Sequence, residues 1–158
     1  ITEHSHYEDA MSAFCFSRVC TLSPDGLTDW SIPLNLAQQS VDEQPRLPWY
    51  QLALGIACYR AGKYEEAIGS LNQSLEVGPN WLGRGQNHVV LAMAQQQLGR
   101  GEEARKSLAR ANANFNEINR TMANSKFGLA TSYFLVDWLG LQILLPEAEQ
   151  LLEAPDNL

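Results

Sequence analysis

Between Trp49 and Arg60 almost every turn carries an apolar side chain, with Trp49, Leu52, Leu54, Ile56, Cys58 and Tyr59 all inside one stretch. This spacing predicts a helix too apolar for a surface position. Pro48 suits its first position, where a missing N–H is harmless. "AGKYEEA" then interrupts, and Gly62 is a residue able to adopt the left-handed conformation that closes a helix. A second helix follows from about Tyr64 to Val77, with Ala67, Ile68, Leu71 and Leu75 on one stripe, and Gly78-Pro79 stops it. Helix, tight turn, helix and stop predict an antiparallel helical hairpin.

The pattern returns. "LGIACYRAGKYEEAIGSL" from Leu54 and "LAMAQQQLGRGEEARKSL" from Leu91 share eight of eighteen positions at an offset of 37. The identities include Leu54/Leu91, Gly62/Gly99, Ala67/Ala104 and Leu71/Leu108. A fixed period in this range marks a repeat architecture, in which each hairpin covers its neighbour's apolar face. Three units result: a degenerate one over about 7–45, a second over about 48–80 and a third over about 85–117. In the first, Ser40 pairs with Ser74 and Pro45 with Pro79 at an offset of 34. Pro33 is tolerable there only if its helix begins near Ser31. The second helix of the third unit is expected to end near Phe115. The Asn-rich stretch 118–130 reads as a loop. A closing helix over about 131–153 shows Phe134, Trp138, Leu141 and Leu145 on one face, with Pro146 expected to kink or divide it. The expected class is all-α, as tandem antiparallel helical hairpins with a C-terminal closing helix, forming one domain over 1–158.

Composition narrows the function classes. Hydrophobic residues at 45% and charged residues at 18% describe a globular chain. The longest apolar run, "YFLVDWLGLQILL", contains Asp137 and is too short to span a bilayer, so no membrane role is expected. A net charge of −7 argues against nucleic acid as a partner. The charge is uneven, −6 over residues 1–83, +4 over 84–126 and −5 over 127–158. Such a distribution suits either an acidic partner segment or the solvated face of a helix. Cys15, Cys20 and Cys58 lie among apolar neighbours without metal-ligand spacing, which predicts buried, reduced thiols in a cytoplasmic protein. The start at Ile1 rather than Met predicts a fragment of something longer, or a processed product.

Candidate chemistry is sparse. His4 and His6 lack a third ligand for a metal. His88 has no carboxylate or Cys one turn away and reads as a polar rim or packing residue. Glu65-Glu66 and Glu102-Glu103 occupy helix first turns, where the dipole favours negative charge. "WLGRGQ" follows no strand, so it does not read as a phosphate loop. The chain is read as no enzyme, with no cofactor and no metal.

The unit over 49–80 resembles a tetratricopeptide repeat. Leu54-Gly55, Tyr59, Gly62, Tyr64, Ala67, Leu71 and Pro79 stand where that 34-residue motif places large, small, aromatic, turn, aromatic, small, large and stop residues. Cys58 and Ser74 depart from the usual aromatic and Ala. The resemblance implies a right-handed superhelix whose first helices line a concave groove. Residues at the groove positions are Trp49, Leu52, Ile56 and Tyr59, then Gln86, Val89, Met93 and Gln96. Lys and Asn, which some members use to grip a terminal carboxylate, are replaced by Leu52, Ile56, Val89 and Met93. An apolar groove implies an apolar helix or extended segment as ligand, either a protein or peptide partner or another domain of the same protein. A groove filled by the chain's own C-terminal helix, making the domain a structural spacer, fits equally, and a homo-oligomer is compatible. The stretch "RVCTLSPDGLTDWSIPLNLAQQSV" with the terminal "DWLGLQILLPEAEQLL" is similar to helical-repeat segments near the C-termini of large bacterial multidomain proteins. Those often carry a Ser/Thr kinase domain or a WD-repeat propeller upstream.

Overall fold

Two glycines fix the turns from which the fold is built. Gly62 and Gly99 have φ of 75° and 73°, the left-handed region that an L side chain avoids. After Tyr59 the N–H of Gly62 bonds to the Tyr59 carbonyl at 3.0 Å, and that of Lys63 reaches back to Cys58 at 2.9 Å. The same pair recurs one repeat later, Gly99 to Gln96 at 2.9 Å and Arg100 to Gln95 at 2.8 Å. This is the Schellman closure of a helix C-terminus, satisfying carbonyls that would otherwise lack a donor.

The computed structural model describes residues 2–23, 26–124 and 132–153. Among these all regular structure is helical: α1 (Thr2–Thr21), α2 (Ser31–Glu43), α3 (Pro48–Arg60), α4 (Tyr64–Val77), α5 (Arg84–Gln97), α6 (Gly101–Asn124) and α7 (Ser132–Glu153). The chain divides into two compact units, Ile1–Pro79 and Asn80–Leu158.

In the first unit α1 pairs with α2 and α3 with α4, while α3 also packs on α1 and α2. Enclosure on several sides explains why α3 is apolar all round, with eleven of its residues buried, Tyr50 through Tyr59 among them. Gly55 allows the closest approach to α4. A methyl group on it would stand 2.6 Å from Cγ and Cδ2 of Leu71. Serine hydroxyls tie each second helix to the first. Ser40 donates to the Ala10 carbonyl at 3.0 Å, and Ser74 to that of Pro48 at 2.6 Å. The two serines paired by the repeat offset therefore do equivalent work, and their burial is matched by a bond. As expected, α2 begins at Ser31 and carries Pro33 in its first turn, where the Pro33 carbonyl accepts from the Ser17 hydroxyl at 2.9 Å.

The open space around two glycines separates backbone from packing effects. Gly69, on the exposed side of α4, has nothing within 4 Å of where a methyl would sit, so Gly69→Ala is expected to stabilise by about 0.5–1 kcal/mol. Gly62 is equally open, but its φ of 75° makes Gly62→Ala destabilising by about 1 kcal/mol. Urea unfolding of the two variants checks the opposite signs.

In the second unit α5 pairs with α6, and α7 lies on both. One expectation is corrected here. Helix α6 does not end near Phe115 but runs to Asn124, so 118–124 is helix, while 125–130 of the expected loop lies outside the described residues. The physical reason is tertiary. Ile118 is buried at 5% exposure, continuing the stripe of Ala104 and Ala111, and the Trp138 indole N–H on α7 donates to Oδ1 of Asn119 at 3.0 Å. The closing helix is present, and Pro146 does not divide it. Leu144, Leu145 and Ala148 are buried on either side of the proline, and Gln142, whose carbonyl loses its helical donor, sits on the exposed side. Trp138 is half-buried and Leu141 and Leu145 are buried, while the side chain of Phe134 lies outside the described residues.

Candidate binding surface

The groove positions divide between the two units, four on α3 and four on α5. On α3, Leu52 and Ile56 are 0% and 1% exposed and Tyr59 is 9% exposed, leaving only Trp49 half-buried. Trp49 meets Tyr50 edge-on, with ring centroids 6.3 Å apart. Tyr59 lies 5.8 Å from Tyr64 and beneath the Arg60 guanidinium at 5.4 Å. On α5, Gln86, Val89 and Met93 are fully buried and Gln96 is half-buried. An open groove lined by Leu52, Ile56, Val89 and Met93 is therefore corrected: these side chains are interior. For α3 the reason is its enclosure by α1, α2 and α4.

For Gln86 the cover is α7. Its side-chain amide donates to the Asp137 carbonyl at 2.9 Å and to Oδ1 of Asp137 at 3.2 Å. Gly140 makes room for it, since a methyl there would stand 2.6 Å from Oε1 of Gln86. At the adjacent position a methyl on Gly85 would meet Leu141 at 3.0 Å. Small residues at both crossing points let α7 lie close against α5.

Histidine 88 is half-buried on α5, and its Nδ1 is buried without a partner. Burial, with Arg110 and then Arg84 nearby, pushes its pKa down to about 4. The folded chain thus holds a neutral imidazole. Because the folded pKa lies below the ordinary 6.5, stability is full above that value and falls as pH drops towards 4. Because the ring is partly exposed and its charge screened, the expected loss by pH 4 is about 2 kcal/mol, below the ~3 kcal/mol of the full shift, and it should flatten in His88→Gln when stability is followed by urea unfolding across this range.

The remaining polar groups are dispersed. Glu66 pairs with Lys63 at 3.1 Å and Arg84 with Glu117 at 2.9 Å. Both glutamates are exposed, where such pairs contribute little. Among the described residues no three His, Cys, Asp or Glu side chains come together as a metal site; the side chains of His4 and His6 lie outside them. Burial pushes the Cys58 thiol up to about 11, helped by Glu66. Only Cys58 is buried. Cys20 is half-buried, and Cys15 is exposed on the outer side of α1, which corrects the expectation of burial for these two. A hollow of about 850 Å³ borders Arg46, Gln51 and Glu76 in the first unit, but the Gln51 amide is spent on the Pro45 carbonyl at 3.1 Å.

What the sequence reading missed is apolar surface outside the groove. Phe16, Val19 and Ile32 are 56%, 71% and 57% exposed. In the second unit Leu139 and Ile143, one turn apart on α7, are 43% and 46% exposed. A signal existed for Phe16 and Val19, because "AFCFSRVC" has too many apolar residues for one stripe of a helix. No helix among the described residues is long and apolar enough to cross a membrane. Compared with known proteins, the chain matches no family model and no curated protein.

Proposed function

We propose that this chain is a non-catalytic protein-interaction module of tetratricopeptide-repeat type, acting in the cytoplasm as part of a larger bacterial protein. The observation that carries this reading is the exposed apolar surface on helix faces of a hairpin-repeat fold. Phe16, Val19 and Ile32 each leave more than half of their surface open. Contiguous exposed apolar area on a repeat protein is the usual mark of a surface that another protein covers. The ligand is a protein segment rather than nucleic acid, in keeping with the net charge of −7. It docks on outer helix faces, since the residues at the groove positions are consumed by the chain's own packing.

A second reading, the structural spacer, is favoured by one observation. The seating of α7 on α5 through Gln86 and Asp137 gives those positions an internal occupant. Capture from lysate with the immobilised chain separates the two. The interaction reading expects a protein retained saturably and released by excess free chain. Absence of any saturable capture, with unchanged behaviour of the parent protein when the segment is replaced by a flexible linker, would favour neither module nor spacer. Altered behaviour without capture would favour the spacer.

A further inference from the structure

Resting on the interaction reading, the geometry points to a partner of definite chemistry: we propose that the outer face of the α1–α2 hairpin, away from α3, docks a cationic amphipathic helix. The face is located by helix geometry. Ser17 on α1 meets Pro33 on α2, and the side of α1 turned towards α3 carries Phe14, whose ring lies 5.3 Å from that of Tyr50. The end of α3 reaches the same side, where Arg60 donates to the Thr21 carbonyl at 3.0 Å. Successive helical residues are rotated by about 100°. Phe16 and Ile32 each precede a contact residue in an antiparallel pair, so both turn to the same side, opposite α3. Val19 extends this surface along α1, and half-buried Cys20 and Leu36 floor it.

Among the described side chains of α1 and α2, the exposed charges are all acidic. On the same rotation Asp9 of α1 and Glu43 of α2 lie at one end, both exposed. Asp29 lies at the other end, where its carboxylate accepts from the Ser31 N–H at 2.8 Å and is held below the usual range by that bond. Residues 9–44 contain a single Lys or Arg, Arg18. It is 6% exposed and placed over the Phe14 ring at 5.7 Å, so it cannot offset the carboxylates from outside. An apolar strip with exposed carboxylates at both ends matches a helix with an apolar stripe flanked by Lys or Arg. A second copy using the same face would bring like charges together, and an anionic bilayer would be repelled.

The test uses the whole chain and two synthetic helical peptides labelled with fluorescein, identical in their Leu/Ile stripe but flanked by Lys in one and by Glu in the other. Fluorescence anisotropy should show the Lys peptide binding at least about 10-fold more tightly, with affinity falling as salt rises. Phe16→Ser/Val19→Ser replaces exposed side chains only, so circular dichroism should stay unchanged while affinity for the Lys peptide drops by about 10-fold or more. Asp9→Lys/Glu43→Lys should narrow the difference between peptides. Equal binding of both peptides, or undiminished binding by Phe16→Ser/Val19→Ser, overturns the proposal. So does a dimer in sedimentation velocity that this double variant abolishes, which would make a second copy the occupant. A lysate partner held equally by the wild-type chain and the double variant would leave the interaction reading standing and remove this surface from it.

Discussion

Leu52→Glu should cost the first unit about 5 kcal/mol and, at neutral pH, much of its helical signal. Leu52 has no exposed surface and sits on a helix that packs on α1, α2 and α4. A carboxylate placed there has neither water nor a partner, so it either loses its hydration or takes up a proton, and both are expensive. Leu52→Ala removes only volume and should cost about 2–5 kcal/mol. The pH dependence tells the two apart. The new carboxyl's pKa in the folded state is raised above its value in the unfolded chain, so the part of the penalty due to ionisation is absent below about pH 4 and grows as pH rises. Leu52→Ala should show no such slope. Urea unfolding at pH 4 and pH 7.5 measures this directly. A Leu52→Glu chain that stayed folded at both values and lost only a partner would restore the open groove.

Gly140→Val should cost the second unit about 3 kcal/mol. The new Cβ would stand 2.6 Å from Oε1 and 2.7 Å from Cδ of Gln86, a separation that real contacts do not sustain. The side chain must leave, and with it the bonds to Asp137 at 2.9 and 3.2 Å. Overpacking accounts for about 1–3 kcal/mol, and the lost buried hydrogen bonds for about 1 kcal/mol more. Because clash and bond share one side chain, the effects should not add. Gln86→Ala alone removes the bond, and the double change Gln86→Ala/Gly140→Val should be less damaging than the sum of the singles. Thermal unfolding of all three variants gives the comparison. Additive losses would place the cost of Gly140→Val elsewhere than at Gln86.

The hairpins were legible because their signals are local. Pro48 at a helix start, Gly62 and Gly99 at turns, and Gly78-Pro79 at a stop each act on neighbours a few residues away, and the structure uses each as expected. The far end of α6 was illegible from composition alone. Its Asn-rich turns are helical because α7 supplies Trp138 to Asn119, although Ile118 kept the stripe of Ala104 and Ala111 and was a clue. The groove positions failed for a different reason. Apolar periodicity marks a face that must be covered without saying by what, so Leu52 on an enclosed helix and a leucine lining an open cleft read alike. The exposed strip on α1 was hidden by the same ambiguity in reverse. Phe14 and Phe16 look interchangeable in the sequence, yet Phe14 meets Tyr50 while Phe16 stays more than half open.

The paired glycine turns also bear on how quickly the chain finds its shape. Each reversal at Gly62 and Gly99 is closed by hydrogen bonds between residues no more than five apart, and the helices it joins are immediate neighbours along the chain. Little loop entropy is lost before such a pair makes contact, a topology that places folding in the microsecond-to-millisecond range. Each turn is thus a starting point from which a hairpin forms without waiting for distant segments. A hairpin formed first on a ribosome or within a partially unfolded chain would already hold its helices in the order that the next one needs.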